Sequence, residues 1–175
     1  LSDEDMRARL RKMFGESSAG LIDLYRKSRP SAKPSDIFFA ITTDRQIRNS
    51  AILEAERKVE QGKAPTYMYL MTWETPVDGG KWKSPHGAEL AFIWDNTVIS
   101  KEAVGTGPEL VPLVETMCGA WLAFAHTGNP STSKLKWPAY TLNERATMIF
   151  DNHSEILTDP AREERLAVRN CICKA

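Results

Sequence analysis

Residues 65–73 read PTYMYLMTW. The run carries no charge and is apolar or aromatic on both faces. Its length and flanks favour a β-strand over a helix. A strand apolar on both faces belongs inside a covered sheet, as in α/β proteins. It needs neighbours, and the good candidates come much later: ATMIF (146–150) and SEILT (154–158). The Asn152–His153 pair between them points to a hairpin. Three strands make a small sheet for so central a strand, so the pattern predicts either further strands or a chain that is part of something larger.

Helices precede the strand. Ser2 and Asp5 resemble a capping box, with acidic residues in the first turn, and predict a helix to about Phe14 that Gly15 ends. Ser17 or Ser18 is placed to cap a second helix, whose stripe of Leu21, Leu24 and Tyr25 runs until Pro30. Ser35 is placed to cap a third, SDIFFAITTDRQIR, and AILEAERKVEQ reads as a fourth that stops at Gly62. After the strand, ETPVDGGKWKSPHG (74–87) is a loop rich in Gly and Pro. The strongest helix signal is 108–126, where Leu110, Leu113, Val114, Met117, Trp121, Phe124 and Ala125 recur at helical spacing. Gly128 and Pro130 end it.

Composition narrows the function classes. The 175 residues are 42% hydrophobic, enough for one compact core and too few for two ordinary domains. Lys+Arg 23 balances Asp+Glu 23. With no basic excess and no nucleic-acid-binding signature, nucleic acid is not an expected partner. No stretch approaches the roughly 18–20 apolar residues of a membrane span. The start, LSDEDMRARL, lacks a signal-peptide layout and an initiator methionine, which admits a processed or truncated chain. Location stays open on this reading, with the balance toward the cytoplasm. Cys118 falls in an apolar helix and reads as a small core residue. Cys171 and Cys173 form a C-x-C pair with no other ligand cluster, read as exposed thiols on a frayed tail rather than a zinc site. No metal and no cofactor are expected.

FGESSAG (14–20) invites comparison with the G-x-S-x-G nucleophile elbow. It fails at both serines. A motif centred on Ser17 needs Gly where Ala19 stands, and one centred on Ser18 needs Gly where Glu16 stands. An elbow also follows a buried strand, whereas this stretch follows an amphipathic helix. It reads as a helix–helix turn with a serine cap. Of the three histidines, His126 falls in the last turn of the long helix and His153 in the hairpin turn, both structural or exposed. His86 follows the buried strand across a flexible loop, and catalytic groups of open α/β sheets gather beyond the carboxyl ends of strands. Spacing alone still reads it as an ordinary loop histidine.

The stretch SPHGAELAFIWDN (84–96) resembles the catalytic-histidine region of the type-B carboxylesterases, relatives of the cholinesterases and bacterial para-nitrobenzyl esterases. The family pattern His-Gly-x-Glu-hydrophobic reads here His86-Gly87-Ala88-Glu89-Leu90, then Phe92-Ile93-Trp94. YMYLMTWE resembles the preceding strand, WLAFAHTGNP (121–130) the Trp-x-x-Phe-Ala-x-x-Gly-Asn/Asp-Pro segment, and WPAY then ATMIFDN the C-terminal strands. FFAITTDRQIRNSA resembles the helix before the strand, with Asp44 at a recurrent aspartate. These motifs stand in family order from the first helix almost to the end.

The resemblance implies an α/β-hydrolase fold of which residues 1–175 are the C-terminal portion of a single domain, the nucleophile-bearing N-terminal portion being absent. It implies a serine carboxylesterase with a Ser-Glu/Asp-His triad and an acyl-enzyme, this chain supplying His86. The partners implied are small carboxylic esters and the remainder of the esterase chain. By itself the piece is expected to be inactive, because elbow, acid and oxyanion hole lie upstream in the family. Glu89 and Asp44 are supporting residues rather than members of the triad. Trp82, Phe92 and Trp94 are candidates for lining an acyl or alcohol pocket, with core packing the commoner role for such side chains. Ala91 stands where the family often has proline, which implies a looser loop. The alternative is a catalytically silent esterase-like module used for binding, as among cholinesterase-like adhesion proteins.

Overall fold

A computed structural model of the chain describes residues 1–172. Cys173 lies outside the described residues. The chain divides into two compact units, residues 1–57 with 160–175 and residues 58–159. Each has its own hydrophobic cluster, where composition alone suggested one.

The first unit is helical. Helix α1 (Asp3–Phe14) starts at Ser2, whose hydroxyl accepts the Asp5 N–H at 3.0 Å, and stops at Gly15, φ +57°. FGESSAG forms a single 3₁₀ turn and the start of α2 (Ser18–Ser28). It is a helix–helix turn, but neither serine caps as expected: Ser18 Oγ instead donates to the Gly15 carbonyl at 2.8 Å. Helix α3 (Pro34–Thr43) is capped at Lys33, two residues earlier than the expected cap Ser35. The Lys33 N–H is held by the Asp36 carboxylate at 3.0 Å, and Pro34 suits the first turn. The expected break before the fourth helix does not occur. A π-helical turn, residues 44–48, carries α3 directly into α4 (Asn49–Gln61). The sequence there contains no Gly or Pro to stop it.

The last described element is α8 (Arg162–Ile172), which takes in Cys171, expected to be an exposed thiol on a frayed tail. Its Val168 joins Met6, Leu10, Leu21, Ile22, Tyr25, Ile37 and Ile41 in the first cluster, with half-buried Cys171 packed against it. Buried charges tie α8 down. Glu164 accepts from Ser28 Oγ at 2.5 Å and from both guanidinium nitrogens of Arg29, while Arg169 pairs with Glu56 at 2.9 Å. Ala167 and Ile172 pack against the same cluster, and the partners of α8 lie more than 100 residues upstream, where a reading along the chain does not look.

The second unit holds the sheet. Strand β1 (Met68–Met71) pairs parallel with β2 (Ala146–Phe150), and β2 pairs antiparallel with β3 (Glu155–Thr158). The order β1-β2-β3 makes β2 central. All five β2 residues are buried, whereas the four of β1 are half-buried. The fully buried strand is therefore ATMIF, not PTYMYLMTW as expected, since ATMIF has a paired strand at both edges and β1 at one edge alone among the described residues. Parallel neighbours require a long crossover. Here it carries three helices: α5 (Glu89–Ile93), α6 (Lys101–Val104) and α7 (Val111–Thr127), which ends at Gly128 in the left-handed conformation.

Leu113, Met117 and Ala120 of α7 belong to the second cluster with Met148 and Phe150 of the sheet. Phe124, expected on the buried stripe, is half exposed but still meets the Tyr67 ring edge-on at 5.9 Å. Cys118 is half-buried rather than a core residue. Tyr69, Trp121, Trp137 and Phe150 form a ring cluster with centroids 5.2–6.4 Å apart. Offset and edge-on pairs of this kind each add about 0.5–1.5 kcal/mol beyond area burial.

Candidate active site

His86 lies beyond the carboxyl ends of the parallel pair β1–β2. The chain leaves β1 at Met71, and Thr72 is fastened at once to the end of β2. Its N–H donates to the Phe150 carbonyl at 2.9 Å and its hydroxyl to Asp151 Oδ2 at 2.6 Å. The segment 74–83 then loops out and returns. Ser84 Oγ reaches back to the Met71 carbonyl at 3.2 Å. Two residues later comes His86.

The histidine occupies the second position of a β-turn, Pro85–Ala88, closed by the Ala88 N–H to the Pro85 carbonyl at 3.2 Å. The third position is Gly87 at φ +88°. That is the positive φ a type II turn demands there, and the reason the residue after the histidine is glycine. The turn runs straight into α5. Ala88, Ala91, Phe92 and Ile93 sink into the second cluster, and Phe92 meets Trp73 edge-on at 4.9 Å. The buried face of α5 thus fixes the turn from downstream while the His86 side chain stays exposed. Among the described residues no side chain hydrogen-bonds it. Ala91 is buried, and its N–H donates to the Ala88 carbonyl at 3.2 Å.

The other singled-out residues separate into distinct places. Glu89 opens α5, half-buried, near enough to Tyr69 of β1 that its charge helps burial raise the phenol's pKa. Phe92 is wholly buried and packs the core. Trp82 and Trp94 are 57% and 68% exposed, one before and one after the histidine turn. Trp82 is held in place: its indole N–H donates to Asp78 at 2.9 Å, and Lys81 lies over its ring at 4.8 Å while pairing with the same carboxylate.

Asp44 is in the helical unit, on the π-helical turn. It accepts the Tyr25 hydroxyl at 2.6 Å and pairs with Arg48 at 3.1 Å. Burial raises its pKa, and the charge on Arg48 opposes the rise. His126 and His153 are exposed, as their positions suggested. Among the described residues no three His, Cys, Asp or Glu side chains gather as a metal ion would need, and no helix is long and apolar enough to cross a membrane.

A mixed sheet with helices in its crossover, and a histidine turn at the carboxyl edge, is an α/β arrangement. The carboxylesterase family model matches residues 3–169, and the chain belongs to that family. Among curated relatives, the para-nitrobenzyl esterase of Bacillus subtilis (strain 168) is 32% identical over 167 residues, covering 94% of this chain and 32% of that enzyme. Among solved structures, a Geobacillus stearothermophilus carboxylesterase superposes with a TM-score of 0.79 at 32% identity, over 95% of this chain and 35% of its own. A thermophilic PNB esterase gives 0.66 at 30% identity, over 96% and 34%. The chain therefore spans about a third of the length of the relatives it matches, and its fold is a portion of the carboxylesterase α/β-hydrolase fold.

Proposed function

We propose that this chain is the histidine-bearing portion of a serine carboxylesterase, with His86 as the proton carrier of a Ser-Glu/Asp-His triad. The observation that carries the reading is His86 itself: exposed, on a turn shaped by Gly87, at the carboxyl end of a parallel strand pair, in a carboxylesterase-family chain. In this reading the serine and the acid come from the rest of the enzyme. The His86 imidazole takes the serine hydroxyl proton as Oγ bonds to the ester carbonyl carbon. It then gives that proton to the departing alcohol oxygen as the C–O bond breaks. Water repeats the cycle on the acyl-enzyme, releasing the acid and restoring the serine. Imidazole suits both transfers because it titrates near neutrality.

Glu89 supports the turn as the first residue of α5. Trp82 and Trp94 are the exposed aromatics available to line an acyl or alcohol pocket. Asp44 braces the helical unit. The substrates are small carboxylic esters. The 175-residue chain alone has no turnover, because the nucleophile is supplied by the rest of the enzyme.

The test is organophosphonate labelling and p-nitrophenyl ester hydrolysis by the complete enzyme. His86→Ala should abolish turnover and slow labelling by about 10³-fold or more. Turnover that survives His86→Ala would sink the triad reading. A parent chain without an elbow serine would make this a binding module instead.

A further inference from the structure

We infer that Thr75 and Ser84 are positioning residues for His86, closing the neck of the 74–83 loop so that the histidine turn starts from a fixed point. The inference rests on the role proposed for His86. The segment between β1 and the turn is irregular, and Asp78 and Lys83 lie at positive φ with Gly79 and Gly80. Nothing in such a stretch sets where Pro85 begins unless the two ends of the loop are tied.

Thr75 ties one pair of ends. It is 1% exposed, and its N–H donates to the Lys83 carbonyl at 2.9 Å. Its hydroxyl donates to the Ala103 carbonyl of α6 at 2.7 Å and accepts the Val77 N–H at 3.3 Å. Ser84 ties the other, through the Met71 carbonyl on the last residue of β1. The loop thus leaves and rejoins the strand end at two stacked rungs, Met71–Ser84 and Thr75–Lys83. The Lys83–Glu74 ion pair spans the same neck at 2.8 Å, but both side chains are half in solvent, where such pairs contribute little. With α5 holding the turn from downstream, the Ser84 hydroxyl and the Thr75 main-chain rung, which the Thr75 hydroxyl anchors to α6, hold it from upstream. They touch no reacting atom.

Two measurements test this. The first uses the 175-residue chain and needs no activity. Thr75→Val keeps the side chain's shape and removes the hydroxyl, and should speed amide exchange at Ala88 and Leu90 by about tenfold while Met148 in β2 is unchanged. Thr75→Ser should restore the protection. Unchanged exchange at Ala88 would overturn the inference.

The second uses the complete enzyme with p-nitrophenyl acetate as probe. A displacement near 1 Å at a catalytic group costs about 10²-fold. Thr75→Val should therefore lower kcat by about 10–100-fold with KM within about threefold, and Thr75→Ser should recover most of it. An unaltered kcat, or an equal loss in Thr75→Ser, would overturn the inference. If Thr75→Val does not fold, Ser84→Ala decides: a fall of about threefold or more in kcat at constant KM supports it, and no change overturns it. His86→Ala run alongside separates the two readings. If His86→Ala is inactive while Thr75→Val is normal, only the positioning role fails. If His86→Ala keeps its turnover, the proposed function fails.

Discussion

Gly87 meets no heavy atom within 4 Å of where a Cβ would stand, yet it sits at φ +88°. Gly87→Ala therefore isolates backbone strain from crowding. We expect a loss of about 1–2 kcal/mol in urea denaturation, with the strain falling on the turn that carries His86. Tyr25 gives a second residue-scale test. Its hydroxyl is the 2.6 Å donor to buried Asp44, so Tyr25→Phe should cost about 1–3 kcal/mol by leaving the carboxylate short of a partner.

The pH dependence follows from the same site. Burial raises Asp44 above the ordinary carboxyl value of 3.8, against the pull of Arg48 and the Tyr25 hydroxyl, with Glu164 adding to the rise and Arg29 opposing it. A raised folded-state value stabilises the protonated fold. That contribution is complete below 3.8 and is lost as pH rises through the folded value. The stability of Asp44→Asn should accordingly change less between about pH 4 and about pH 7 than that of the parent chain, measured by urea midpoints at the two pH values.

At the scale of elements, α5 is a helix of five residues that no periodicity reveals, because it is shorter than two turns. It exists because Phe92 and its neighbours fill the second cluster. Phe92→Ala should cost about 3–5 kcal/mol in thermal or urea unfolding and should release the histidine turn with it. Helix α1 and the end of α7 were legible within a residue or two from Ser2, Gly15 and Gly128, since caps and stripes are local signals, while α7 starts three residues after the expected Pro108. Helix α8 was not legible: its hold is Glu164 on Arg29 and Arg169 on Glu56, pairs more than 100 residues apart. The same applies at the site. His86 was singled out by its family motif, whereas no pattern pointed to Thr75 or Ser84, because a loop hydroxyl has none and its partners are main-chain groups brought near only by the fold.

For the whole molecule, the sheet order leaves one edge of β1 without a strand partner among the described residues. An exposed strand edge is a template for pairing with another chain. The 175-residue chain should therefore self-associate as its concentration rises in sedimentation velocity. A monomer at tens of micromolar with a single sharp melt would contradict this.

Local chemistry in the sequence was enough to determine where α1 begins and ends, where α7 ends, the late hairpin, and FGESSAG as a helix–helix turn. Those depend on neighbours a few residues apart. Only the tertiary structure decided that ATMIF, rather than PTYMYLMTW, is the enclosed strand, that Phe92 is core while Trp82 and Trp94 face solvent, and that α8 returns to the first helices. Burial and strand order depend on which distant segments meet, and an amino-acid pattern read along the chain does not contain that choice.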